Sequence, residues 1–419
     1  MKTYKLKLKL NKQQYKIIKD YCYYSNNLYN YTLYVCKEYY KQTNKYIGFK
    51  QLYHEVKHNE NYKLLPSQVA QQLIKLVDKD YRSFFALLSR KNKGQYTDKV
   101  SPPRFKKKWE MFNLIYPKQF IVVNKDSITL CLSNLYKKLN NIKGRQSILS
   151  FKFNLSNIEE IKQIIIKPYN NGQYFKMFIN YEEVKQNVQN LNKDNYLSID
   201  LGINNLATCF NSVSGHSFIM NGKPLKSYNR YYNKTIAKLR SELKLKNKLN
   251  WSKQLQNITE NSYNYIDNYF NQVVSKITKY CVSNDIGNIV IGYNETWKTN
   301  VNLGKVNNQK FIYIPYFKLK QKLENKCKDY GIIYTQVNES YTSKCSFVDN
   351  EPIKKHDTYL GKRVKRGLFK TSTGLLVNAD VNGSANILRK VVPDTACSQG
   401  ILGLMLNPVK YNYFTKLSN

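Results

Sequence analysis

The chain of 419 residues is 42% hydrophobic and carries 68 Lys and Arg against 28 Asp and Glu, a formal charge of +40. This composition excludes a disordered tail protein and suits roughly two to four domains, each with its own core. Charge of this size costs self-repulsion unless a polyanion relieves it. That points to nucleic acid and away from a membrane, since neither a long basic amphipathic helix nor an apolar run of about 18 residues occurs.

At the N-terminus Tyr4, Leu6, Leu8 and Leu10 alternate with Lys5, Lys7 and Lys9, which predicts a half-buried strand with a basic outer face. Residues 12–43 switch to helical spacing, with Ile18, Cys22, Ser25, Tyr29, Leu33, Cys36 and Tyr40 on one stripe. Pro66 and Ser67 open a second helix, where Val69, Leu73, Leu76, Phe84 and Leu88 recur at three- and four-residue steps. The stretch SPPRFKKKW (101–109) reads as an extended basic segment. Short strands crowd residues 119–182, separated by turn signals such as Asn170-Asn171-Gly172, and predict a small barrel or sandwich. The first strand belongs to it, so the helices of 12–98 are an insertion.

Three strands follow in 196–220 (YLSIDLG, LATCFN, HSFIM), then helices at about 228–249 and 262–283. A buried strand NIVIGY (288–293), a helix near 315–330, a strand IIYTQVNE (332–339) and a helix opened by Ala379-Asp380-Val381-Asn382 complete the series. That order is the order of an RNase H-like α/β domain. Beyond 391 no periodicity is evident, and a loosely ordered tail is expected. The cysteines Cys22, Cys36, Cys131, Cys209, Cys281, Cys327, Cys345 and Cys397 include no Cys-x-x-Cys pair. Free thiols and, with no apolar leader, a soluble intracellular protein are expected.

A basic chain that hydrolysed phosphodiesters would hold metal with a few acids at strand ends, because magnesium takes oxygen ligands. Asp200 closes YLSID before Leu201-Gly202, and Asp380 lies in NADVNGSANI. Alone, the first reads as a turn residue and the second as an acid favoured by a helix dipole; together, at the ends of one sheet, they point to a metal site. His54, His58, His216 and His356 form no base-and-nucleophile pattern. Trp109, Trp251 and Trp297 read as packing, with base stacking the alternative. KRVKR (362–366) is a solvated loop by default or a phosphate grip near a nuclease sheet.

SIDLGINNLAT (198–208) resembles the first RuvC motif of the TnpB/Fanzor family of transposon-associated RNA-guided endonucleases, relatives of type V CRISPR effectors. NGKPLKSYNRYYNK (221–234) is similar to the segment that follows, NADVNGSANI (378–387) to the third motif, and PPRFKKK (102–108) to a family segment. The resemblance is carried by 196–390 and is architectural over 1–195. It implies a multidomain α+β chain: an N-terminal β-barrel (wedge) with an inserted helical recognition block, and a C-terminal RNase H-like (RuvC) α/β nuclease domain. The boundaries expected are 1–10 and 113–190 for the barrel and 11–112 for the insertion. The nuclease domain would span 191–390 with an inserted loop 340–376, and the tail 391–419. Implied partners are a guide RNA and double-stranded DNA with a short adjacent motif; the implied cofactor is magnesium, two ions, held by Asp200 and Asp380. Arg104, Phe105, Lys106, Lys107, Lys223, Arg363 and Arg366 are expected to contact nucleic acid.

Two departures stand out. The family's second motif ends a strand with Glu, where this chain has Gly292. Glu295, in the turn beyond, and Glu339, at the end of the neighbouring predicted strand, are the replacements within reach. NESYTSKCS resembles the Fanzor variant with a relocated glutamate, which makes Glu339 the expected third metal ligand. Its plain alternative is a solvated Glu before a loop. Second, Cys345 has Val348 where a partner cysteine would stand, and only His356 remains, so no structural zinc is expected. These departures also suit a nuclease-dead RNA-guided DNA-binding repressor, and the charge alone suits a transposition accessory or RNA-binding protein.

Overall fold

The structure, a computed structural model, describes residues 2–142, 148–153, 158–183, 190–247, 249, 251–293, 314–393 and 407–412. The chain divides into two units, Met1–Lys185 and Gln186–Asn419. Among the described residues no helix is long and apolar enough to cross a membrane.

In the first unit β1 (Lys2–Lys7) leads into α1 (Lys12–Thr43), which Asn11 and Gln14 start with a reciprocal capping box. The helix buries Ile18, Cys22, Ser25, Tyr29, Leu33 and Cys36 as its spacing predicts, whereas Tyr40 is exposed. The short helices α2 (Phe49–Val56) and α3 (Glu60–Leu64) follow, then α4 (Ser67–Asn92), which packs Val69, Leu73, Val77 and Tyr81 into the same core. β2 (Leu114–Pro117) comes next, so all four helices are inserted between two strands of one sheet, ordered β1, β7 (Tyr174–Glu183), β6 (Ile158–Tyr169), β2. β6 and β7 form a hairpin at Asn170-Asn171-Gly172, whose φ angles of 48°, 50° and 82° are those Asn and Gly adopt most cheaply.

Among the described residues the strands do not close the expected barrel. β3 (Ile121–Asn124), β4 (Ser127–Leu130) and, after the short helix α5 (Asn134–Leu139), β5 (Ser150–Lys152) pair as a separate three-stranded sheet beside an open four-stranded one. Closure requires one continuous circuit of hydrogen-bonded strands. Here Pro117, which has no N–H, ends β2, and a 3-10 turn over Lys118–Phe120 redirects the chain before β3.

In the second unit β8 (Tyr196–Leu201), β9 (Asn205–Asn211) and β10 (Ser217–Asn221) form an antiparallel meander. Helices α6 (Lys223–Asn247) and α7 (Lys253–Ser283) then lead to β11 (Asn288–Tyr293), parallel to β8. α8 (Tyr316–Tyr330) crosses over to β12 (Ile333–Asn338), parallel to β11, and α9 (Ala379–Arg389) comes last among the helices of the described residues. Between β12 and α9 the small sheet of β13 (Lys362–Lys365), β14 (Leu368–Lys370) and β15 (Leu376–Asn378) folds on itself. The tail expected to be loose contributes β16 (Val409–Tyr411), which pairs parallel with β10 at the sheet edge. That strand is too short to show a periodicity, which is why the sequence hides it.

Strand periodicity decides which residues reach which layer. Leu197, Ile199 and Leu201 of β8 join the core with Phe270 and Val273 of α7. Tyr196, Ser198 and Asp200 point the other way, toward α9, where the Ser384 hydroxyl donates to the Ser198 carbonyl at 3.0 Å. The small residues Gly383 and Ser384 let this helix lie close to the strand, so Asp200 shares a face with the start of α9.

Candidate active site

Three acids meet at this face. Asp200, half-buried near the end of β8, has its Oδ2 only 3.3 Å from where a Cβ on Gly383 would stand. Asp380 lies in the first turn of α9, where the Asn378 side chain caps the helix by accepting from the Asp380 and Val381 amides at 3.0 and 3.2 Å. The helix N-terminus favours its negative charge. Glu339 immediately follows β12, and its amide donates to the Tyr293 carbonyl at 3.2 Å, extending the β11–β12 ladder.

Gly292 explains how Glu339 enters. A Cβ at Gly292 would lie 3.1 Å from Glu339 Oε2 and 2.6 Å from Ile387 Cδ1. The space a side chain at 292 would fill is therefore taken by the glutamate of the next strand and by α9. Burial pushes the Asp200 carboxyl well above the usual carboxylate range, and the Asp380 and Glu339 charges push it further, while Arg363 opposes the shift. Glu295, the other replacement weighed for the third acid, lies outside the described residues, as does Trp297.

The acids are held by neighbours the sequence did not announce. Asn205, at the start of β9, donates to Asp380 Oδ2 at 2.6 Å, and Arg363 of β13 donates to Asp380 Oδ1 at 2.8 Å. Tyr316 of α8 donates its hydroxyl to the Gly202 carbonyl at 2.9 Å. Lys390 Nζ donates to the carbonyls of Asn338 and Ser340 at 2.6 and 2.9 Å, and Lys320 lies 3.7 Å from the Tyr293 ring centroid. Burial holds both ammonium groups below the usual lysine range, and the Glu339 charge works against that shift. Asn205 stands within SIDLGINNLAT, and a polar residue facing back across a two-strand turn was the available signal.

The donor set is all oxygen, which suits a hard cation such as magnesium. Among the described residues no three His, Cys, Asp or Glu side chains form a ready-made metal cage. Magnesium generally takes one or two carboxylates and completes its shell with substrate phosphate and water. The three acids fit that pattern better than a cage of protein ligands.

The residues expected at nucleic acid are distributed as follows. Lys223 is exposed at the start of α6, and Arg366 is exposed beyond β13, whereas Arg363 is engaged with Asp380. In the first unit Arg104, Phe105 and Lys107 are exposed. Lys106 instead packs its ammonium over the rings of Tyr29 and Phe112, at 4.3 and 4.1 Å from their centroids.

In the loop between β12 and α9 the Cys345 thiol is buried near the Pro352 carbonyl, and the same carbonyl lies 2.7 Å from His356 Nε2. Glu351, 1% exposed, accepts from the Ser346 and Leu360 amides at 2.7 and 2.9 Å. Asn382 and Asn386 of α9 donate to the Cys345 carbonyl at 2.9 and 2.7 Å. Asn382 and Asn386 thus tie the loop to α9, Glu351 closes the loop on itself, and Arg363 of the KRVKR run adds its bond to Asp380.

Residues 178–298 match the family OrfB_IS605, described as "Probable transposase", and residues 316–387 match the Cas12f1-like TNB domain. The chain is 24% identical over 376 residues to the TnpB-like protein ORF457 of Acidianus two-tailed virus, across 84% of this chain and 77% of that one. Among solved structures it resembles a Cas12f1–sgRNA–target DNA complex with a TM-score of 0.56 at 15% identity, covering 90% of this chain and 83% of that chain. The fold is therefore Cas12f-like, and the matched segments make the chain similar to TnpB-like proteins over residues 178–298 and 316–387.

Proposed function

We propose that the chain is an RNA-guided DNA endonuclease that hydrolyses phosphodiesters by a two-metal mechanism, with magnesium the fitting ion. The observation that carries this reading is the meeting of Asp200, Glu339 and Asp380 at one sheet end, with Glu339 in the space that Gly292 leaves. The relatives supply the guide: a solved structure of similar fold is a complex with sgRNA and target DNA. The charge of +40 suits two nucleic-acid partners.

In this reading Asp200, Glu339 and Asp380 hold the ions together with a substrate phosphate. When bound, the ions supply an activated water and stabilise the leaving oxygen. Asn205 fixes the Asp380 carboxylate, the Asn378 cap fixes the backbone that carries it, and Lys390, by bonding the backbone on both sides of Glu339, fixes the turn that aims it. Arg363 balances the charge of Asp380, as a bound cation would. The helix-bearing first unit and β3–β5 would recognise the guide RNA and the adjacent motif, while base pairing reads the target.

The test is to sequence the RNA that co-purifies and to supply duplex DNA matching its variable end. Magnesium-dependent cutting of the matched duplex alone supports the reading. RNA-guided binding with no cutting in any divalent ion would favour the repressor, and absence of bound RNA would remove guidance altogether.

A further inference from the structure

Residues 104–113 belong to no helix or strand until β2 begins, yet their backbone is fixed along α1. Asn30 makes a two-way amide pairing with Lys106, its Nδ2 donating to the Lys106 carbonyl at 3.0 Å and its Oδ1 accepting from the Lys106 amide at 2.8 Å. Asn26, fully buried, donates to the Lys107 carbonyl at 2.8 Å. Farther along, the Phe112 amide donates to the Cys22 carbonyl at 2.9 Å and the Ser25 hydroxyl to the Asn113 carbonyl at 2.8 Å. The Lys106 side chain is turned inward over two rings, as an anchor.

This pinned ribbon displays its large rings to water. Trp109 is 68% exposed and Phe105 50%. Trp109 rests one face near Tyr23, with centroids 6.2 Å apart and planes 15° apart. Phe105 carries the Lys37 ammonium 4.2 Å from its centroid. Arg104, Lys107 and Lys108 stand exposed between and beside the rings. Asn26, buried, and Asn30, half-buried, hold this backbone while the Trp109 indole stays in water, and rings set among cations match stacked bases and their phosphates.

We propose that residues 104–109 form a stacking strip for an unpaired stretch of nucleic acid, with Trp109 and Phe105 each taking a base and Arg104, Lys107 and Lys108 the phosphates. The inference rests on the reading of the chain as a nucleic-acid binder and names where a single strand lies. Base faces are covered inside a duplex, so only an unpaired strand can use both rings. The chain turns at Lys108–Trp109, where the Glu110 amide donates to the Lys107 carbonyl at 3.1 Å, so the two rings lie closer than the about 14 Å that four extended residues would span, within reach of roughly four stacked nucleotides. The acid next to the strip, Glu110, is already drawn to Lys107 at 3.6 Å, so the exposed charge is positive, which disfavours a basic protein partner.

The chain has three tryptophans, so the full-length protein with Trp251→Phe and Trp297→Phe leaves Trp109 as the sole indole reporter. After removal of co-purified RNA, it is titrated with U12, with dT12 and with a blunt hairpin duplex, while filter binding reports total affinity. Quenching of Trp109 that tracks binding of a single strand, but not of the hairpin, is the expected result, and the tighter of U12 and dT12 identifies RNA or DNA as the occupant. Trp109→Ala should weaken single-strand binding by about five- to a hundredfold. Hairpin affinity should stay within about twofold. Trp109→Phe should recover part of the loss. Single strands that bind fully without quenching overturn the strip and leave the nucleic-acid reading intact. Failure of every oligonucleotide to bind overturns both.

Discussion

Gly292→Ala probes the packing that seats Glu339. The position has an ordinary strand backbone, so alanine adds no φ strain and removes unfolded-state freedom worth about 0.4–1 kcal/mol. Against this, the new Cβ would sit 2.6 Å from Ile387 Cδ1 and 3.1 Å from Glu339 Oε2. Relieving such overpacking costs about 1–3 kcal/mol. The balance is a net loss of about 1–2 kcal/mol, read as a Tm lower by about 2–8 °C for a unit of this size. The catalytic effect should be larger, because moving a ligand by about 1 Å can cost on the order of a hundredfold in rate. Ile387→Val removes the nearer atom, so the double variant should regain stability beyond the sum of its parts. It should still cut slowly, because the clash with Glu339 remains. Thermal melts and single-turnover cleavage, run side by side, separate the two effects. A Gly292→Ala protein that cuts at the wild-type rate would refute the claim that Glu339 acts from above this glycine.

Other outcomes follow from the same geometry. Arg363→Ala removes the cation that balances Asp380, so the nucleic-acid-free protein should bind Mn2+ several-fold more tightly by titration calorimetry; weaker binding would mean that Arg363 orders the acids instead. Glu351→Gln replaces one of two acceptor oxygens with a donor facing a backbone amide, a loss of about 1–3 kcal/mol, and should open the 340–376 loop to limited proteolysis. Burial raises the Asp349 carboxyl pKa, but hydrogen bonds from Ser346 and Ser372 outweigh it and leave the group below its usual range. Its contribution is therefore present above the ordinary aspartate pKa and lost as pH falls through the lowered one; the Tm gap between wild type and Asp349→Asn should close only in that acid window. Elemental analysis of untagged protein should find no stoichiometric zinc. RNA affinity should fall steeply with salt, each neutralised phosphate adding about −0.7 to −0.9 to the log–log slope.

Much of the second unit is legible in the sequence because its signals are local. YLSID and NIVIGY are apolar runs with the length of strands, and Asn378 before Ala379-Asp380 is a readable helix cap. The alternation along β8 even fixes which face Asp200 takes. Gly292 is legible too, since a missing side chain beside a predicted strand ending in Glu339 implies a vacated space. What the sequence hides is long-range choice. Nothing local distinguishes strands that close a barrel from strands that split into two sheets, because Pro117 acts only through what it denies a neighbour. Asn205 and Lys390 find their partners across large chain separations, and their residue types are common. Trp109 fits a packing position by composition, and only the pinned backbone along α1 turns it outward.

The central claim concerns the third carboxylate, and Glu339→Gln tests it most directly, because it keeps shape and removes charge. Guide-loaded protein is assayed for binding to matched duplex and for cutting in magnesium, beside Asp200→Ala and Asp380→Ala. The account predicts that all three variants bind the matched duplex as wild type does and that none cuts. A Glu339→Gln protein that cuts like wild type would contradict it.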